Sequence, residues 1–234
     1  MIVRRRLPPQ QREFTAPRQV WYAAFGSNMH RSRLSCYLTG GRPEGGRKAQ
    51  PGCRDPRPPE RALPVMLPGE LYFAMESPVW TGGSAFYDPD AEGHTAARAW
   101  LVTAGQFSDI AAQEMHREPG TDLDLREVLT SGRCEVGGGR YETLVCAGTV
   151  EDRPVLTFTA PWGRDGVPGN PPAAVYLRHL ASGLAESHGW PAARIAAYLA
   201  SRRGAAGHWS AAAVEGLLES PPGEPEDEAA PLPG

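Results

Sequence analysis

The sequence predicts an α+β domain on two observations. Short apolar runs broken by Gly and Pro occupy the stretch from Val20 to Ala160, and three helical patterns follow from Ala173 onward. Strands gathered ahead of helices indicate segregated packing, with a sheet of short strands suited to curling into a small barrel. No internal repeat is visible.

A chain of 234 residues suits one domain with tails. We place that domain at 19–219, between a flexible N-terminal arm (1–18, Arg/Pro/Gln-rich) and a disordered acidic tail (220–234). A formal net charge of -3 supplies no footprint for nucleic acid or an anionic membrane surface. No run reaches the roughly 18 apolar residues of a membrane span, and the basic start MIVRRRLPPQQREF lacks the apolar core of a secretion signal. Cys36, Cys53, Cys134 and Cys146 show neither metal-type nor redox-type spacing, which reads as reduced thiols in a cytoplasmic protein.

In chain order, Val20 to Phe25 is an apolar strand ended by Gly26. Met29 to Leu38 is compatible with a short helix after the Gly26-Ser27-Asn28 turn. Gly40 to Pro64 is a long Pro/Gly/Arg loop, of the kind that is either functional or disordered. Strands resume at Val65 to Met75, with Pro68-Gly69 arguing for a bend, then at Ser84 to Tyr87 and Ala96 to Val102. A helix runs from Ala104 to about His116. Thr143 to Glu151 and Pro154 to Ala160 form a hairpin through Asp152-Arg153. Helices close the chain at Ala173 to His188, Ala192 to Arg203 and Ala211 to Glu219.

The helix after Thr103 holds the most informative residue. Thr103 and Gln106 read as a capping box that fixes its start. Phe107, Ile110 and Ala111 then trace a buried stripe whose next position is Glu114. A carboxyl on that stripe is either paired or driven to a raised pKa, the condition that suits an acid/base catalyst. A salt bridge to Arg117 or Arg126 at a fraying end is the competing explanation. Gly26-Ser27-Asn28 likewise has two readings: a tight strand-to-helix connection, or a set of amides converging on an anion or oxyanion. Ser27 lacks the surroundings of a nucleophile. Glu114-x-His116-x-Glu118 lacks zinc-ligand spacing, and the Gly pairs match no phosphate-binding loop, so we expect no metal and no cofactor. The Arg-rich stretch 42–61 is a candidate grip for an acidic ligand and equally a solvated loop.

Four segments, in order, resemble the γ-glutamylcyclotransferase-like superfamily over residues 19–203: YAAFGSNM…RL (Tyr22 to Leu34), PGELYF (Pro68 to Phe73), IAAQE (Ile110 to Glu114) and NPPAAVYLRHLASGLAESHGWP (Asn170 to Pro191). Two positions depart from the family pattern. Phe25 stands where relatives have tyrosine, and Ala111 where they have aspartate. The resemblance implies a small closed β-barrel flanked by helices, with Glu114 as catalytic acid/base. Phe25, Gly26, Ser27, Asn28, Tyr22 and Tyr176 would contact substrate.

The implied reaction cleaves a γ-glutamyl amide by attack of its own α-amine, releasing 5-oxoproline and a free amine. Two alternatives stay open: an acyl-transfer or lyase step on a larger, secondary-metabolite substrate, and a non-catalytic ligand-binding relative. The expected partner is a small γ-glutamyl molecule, without nucleic acid or membrane and with the oligomeric state undefined.

Overall fold

The computed structural model describes residues 1–3, 15–42 and 49–219. Most of the expected N-terminal arm (4–14) and the whole tail 220–234 lie outside the described residues. Met1–Val3 run beside Met66: Ile2 forms a parallel bridge to it, and Val3 is buried.

In chain order the elements are β1 (Gln19–Ala24), a single 3-10 turn (Ser27–Met29), α1 (Arg31–Thr39), β2 (Arg61–Pro68), β3 (Glu70–Ala74), β4 (Ser84–Asp88) and β5 (His94–Thr103). Then follow α2 (Ala104–Glu114), α3 (Arg126–Ser131), β6 (Arg133–Glu135), β7 (Thr143–Val150), β8 (Arg153–Thr159), α4 (Ala174–His188), α5 (Ala192–Ala200) and α6 (Ala211–Glu219). The expected α+β class holds.

A six-stranded sheet has the order β2-β5-β1-β8-β7-β6, and β3 and β4 form a separate ribbon. β1 lies inside the sheet, antiparallel to β5 and parallel to β8, with Val20 to Ala24 all buried. An apolar run without alternation is what burial on both faces requires. Trp21, Trp100 and Phe107 are among the largest fully buried side chains.

Several expectations shift by a few residues. β2 begins at Arg61, inside the segment expected to be loop, and pairs with β5 from Leu101 to His94. Its Pro64 is tolerated because β2 is an edge strand. The bend at Gly69 divides the expected Val65–Met75 strand between two sheets; Gly69 has φ +112°, and an added Cβ would lie 2.4 Å from the Asp88 carbonyl oxygen. The β7–β8 connection is Glu151-Asp152, one residue earlier than expected, with both residues at positive φ (50° and 59°). Two positive φ values are the mark of a tight hairpin turn whose twist matches its strands. α3 and β6 were not anticipated; α3 ends on Gly132 in the left-handed region at φ 86°.

No ladder among the described residues closes the sheet into the expected barrel. Beyond Gly69 the chain pairs β3 with β4, and that ribbon is joined to β8 through a side chain. The Thr159 hydroxyl accepts from the Tyr87 amide (3.0 Å) and donates to the Tyr87 carbonyl (2.7 Å).

Candidate functional site

Tyr22, Phe25, Gly26, Ser27, Asn28, Glu114 and Tyr176 all line one cavity of about 90 Å³. Three elements deliver them: the end of β1 with its turn, the last turn of α2, and the first turn of α4.

The turn is held by its carbonyls. Gly26 O accepts from the Met29 amide (3.1 Å) and Ser27 O from the His30 amide (3.1 Å). The Asn28 carbonyl accepts from Trp100 Nε1 (3.0 Å), and that of Met29 from Arg98 Nη1 (3.2 Å). Arg98 is in turn paired with Glu186 of α4 at 2.8 Å. The amides of Gly26, Ser27 and Asn28 have no acceptor among the described residues. With its acceptors committed, the turn keeps three donors without an acceptor among the described residues. Helix α4 reaches it closely because residue 183 is glycine: an added Cβ there would sit 2.7 Å from Met29 Cβ.

The capping box that starts α2 is present, with the Thr103 side chain accepting from the Gln106 amide and Gln106 reciprocating. Phe107, Ile110 and Ala111 are fully buried, and Glu114 ends that stripe half-buried at the cavity. Neither arginine of the competing explanation pairs with it: Arg117 pairs with Glu142 and Arg126 with Asp124. Instead Asn28 Nδ2 donates to Glu114 Oε1 at 3.0 Å. Burial pushes the Glu114 carboxyl above its ordinary pKa, outweighing the opposing pull of Tyr37, Arg33, His116 and Asn28.

Tyr22 stacks on Phe158 (centroids 5.4 Å apart), and its hydroxyl receives a long bond from Asn28 Nδ2 at 3.4 Å. The Tyr176 hydroxyl accepts from the Ala85 amide at 3.4 Å. Burial first, then the negative charge of Glu114, holds the Tyr22 phenol far above the ordinary tyrosine range. For Tyr176 burial is again the main cause of a raised pKa. Both phenols therefore stay protonated and act as donors or acceptors, not as bases. Phe25 packs against Tyr87, with centroids 5.7 Å apart.

Several lining residues were not read from the sequence: Arg33, Tyr37, Trp80 and Tyr141. Only Arg33 carried a signal, as the arginine of the quoted Arg-Leu pair. Trp80 lies in the 75–83 segment between β3 and β4, where no periodicity marks it. In the Arg-rich stretch, Arg54 pairs with buried Asp109 (2.9 Å), Arg57 with Asp55 and Arg61 with Glu151, so these three are occupied as structural ties. Gln50, from the same stretch, does line the cavity. Among the described residues no cluster of three or more His, Cys, Asp or Glu is placed to hold a metal ion, and no helix is long and apolar enough to cross a membrane.

No protein-family model matches the chain. A curated relative from Arabidopsis thaliana, Histone deacetylase 5, is 33% identical over 185 residues, covering 71% of this chain and 28% of the relative. The chain therefore spans less than a third of that relative's length. Among solved structures, an uncharacterized Homo sapiens protein is similar over 87% of this chain and 100% of its own, at TM-score 0.46 and 15% identity. A gamma-glutamyl cyclotransferase is similar over 86% of this chain and 98% of its own, at TM-score 0.45 and 15% identity. In its motifs the chain resembles the γ-glutamylcyclotransferase-like superfamily, and a gamma-glutamyl cyclotransferase is among the solved structures similar to it.

Proposed function

We propose that the protein is a γ-glutamylcyclotransferase-like enzyme that cleaves a γ-glutamyl amide, with Glu114 as general acid/base. The observation that carries this reading is the meeting of Glu114 with the Gly26-Ser27-Asn28 turn in one cavity, through the bond from Asn28 to the carboxylate. Glu114 takes a proton from the substrate's α-ammonium. The freed amine attacks the γ-carbonyl carbon, forming the ring C–N bond and a tetrahedral oxyanion. Collapse breaks the original amide C–N bond; the proton held on Glu114 passes to the departing amine, and the second proton of the ring nitrogen follows through the freed carboxylate to that amine, which leaves as an ammonium. The products are 5-oxoproline and a free amine, with no water consumed.

Three features support these roles. A five-membered closure brings its own nucleophile, and constrained intramolecular attack reaches effective molarities of about 10⁵–10⁸ M. The unspent amides of the turn suit the oxyanion. A carboxyl whose pKa is raised by burial is a stronger proton acceptor than an exposed one and can hand the proton on to the departing amine.

The test is direct. The protein incubated with γ-glutamyl-alanine and with glutathione should release 5-oxoproline, and Glu114→Gln should cut release by about 10²–10⁴-fold while the circular dichroism spectrum is unchanged. Undiminished turnover in Glu114→Gln removes the acid/base. Failure on every γ-glutamyl amide leaves the acyl-transfer or ligand-binding alternatives.

A further inference from the structure

The cavity contains two buried polar groups that lack partners among the described residues, and their polarities are opposite. The first is on Arg33, 4% exposed, whose Nη1 has no acceptor. Its Nε donates to Ser27 Oγ at 3.3 Å. The rings of Tyr37 and Trp80 lie 5.5 and 5.2 Å from its Cζ and restrict the guanidinium. No carboxylate among the described residues makes an ion pair with it. Glu114, which lines the same cavity, feels its charge but makes no ion pair with it; a desolvated cation without a direct partner is costly, and sites that keep one usually keep it for a ligand.

The second group is Asn28 Oδ1, buried without a donor. With Glu114 ionised, the state in which it acts as base, the carboxylate only accepts, and the nitrogen end of the amide faces it at 3.0 Å.

We propose that Arg33 and Asn28 form an α-amino-acid head-group subsite. Arg33 binds the α-carboxylate, and Asn28 Oδ1 accepts from the α-nitrogen, beside the carboxyl that takes the proton. This rests on the γ-glutamyl reading for its substrate. It also divides labour within the cavity: with the α-carboxylate on Arg33, the turn's amides are left for the oxyanion. Substrates that carry the attacking amine but no carboxylate, such as 4-aminobutyryl amides, are then poor ones.

Calorimetry on the full chain tests the subsite with 5-oxo-L-proline and its neutral carboxamide. The wild type should bind the carboxylate about 10–100-fold more tightly, the range expected for one charge-assisted pair. Arg33→Gln should erase that preference, and Arg33→Lys should retain part of it. A folded Arg33→Gln with the preference intact overturns the subsite, as does a wild type that binds both ligands equally or neither. Should Arg33→Gln not fold, the Arg33 Nε–H resonance of the wild type decides. It should move on titration with the carboxylate and stay with the carboxamide, and an unmoved resonance overturns the proposal.

The two readings fail separately. A carboxylate preference that depends on Arg33, without turnover of any γ-glutamyl amide, removes the reaction and leaves the subsite. Turnover equally fast for γ-glutamyl and 4-aminobutyryl amides removes the subsite and leaves the reaction.

Discussion

The side-chain amide of Asn28 and the carboxylate of Glu114 meet at 3.0 Å, across 86 positions of sequence. This bond stabilises the ionised carboxylate, while burial works against it. Replacing Asn28 by Ala removes the donor, so the pKa of Glu114 rises and its basic form appears later on the pH axis. The acidic limb of the kcat/KM profile should move to higher pH in Asn28→Ala. A limb that stays in place would separate Asn28 from the proton transfer.

Glu114 also links stability to pH. Its folded pKa is raised, so its contribution is fully present below the unfolded value near 4.5 and is lost as pH rises through the folded value. Glu114→Gln cannot ionise and escapes that loss. The melting temperature of the variant should therefore gain on the wild type from pH 5 to pH 8, while kcat/KM falls by about 10²–10⁴-fold. A constant gap across that range contradicts the buried carboxyl.

The approach of α4 to the turn depends on Gly183. A methyl there meets Met29 Cβ at 2.7 Å and the His30 amide nitrogen at 3.0 Å, and one of these must move. Gly183→Ala should cost about 1–3 kcal/mol in denaturant unfolding, the range for overpacking, and should raise KM by displacing the turn. Neutral stability with unchanged KM would show that the turn yields freely.

Arg98 is buried between Glu186 (2.8 Å) and the Met29 carbonyl (3.2 Å). Arg98→Met should destabilise by about 3 kcal/mol, at the lower end for a buried pair because Glu186 is partly exposed. Burial raises the pKa of Glu186, but the Arg31 amide and Arg98 outweigh it and the net shift is downward. The stabilisation is thus present above the unfolded pKa near 4.5 and lost as pH falls through the folded value. The gap between wild type and Arg98→Met should close in acid, which unfolding curves at pH 3 and pH 7 would read.

What the sequence made visible follows from where the information is local. The capping box and the 3.6-residue stripe lie within α2, so Thr103, Gln106 and Glu114 were legible together. The end of β1 was legible because an apolar run stops at glycine. Arg33 is visible in the sequence only as part of a motif, because its burial depends on Trp80 from a distant segment, and no period in α1 announces that neighbour. α3 and β6 span only six and three residues and are stabilised by packing against β7, so their own residues give little signal. Arg61–Pro64 read as loop because proline counts against a strand, and edge position, which excuses it, is a property of the assembled sheet.

The cavity draws its walls from two sheets that share no backbone ladder. β1 and the turn belong to the large sheet, whereas Ser84 and Ala85 belong to the ribbon and Trp80 to the segment that closes it. Mutations that reshape the ribbon leave the register of β1 unchanged. Such a division separates the wall that carries Glu114 and the turn from the wall that carries Ser84 and Ala85, so the shape of the cavity on its ribbon side is set apart from the strand pairing that positions the turn.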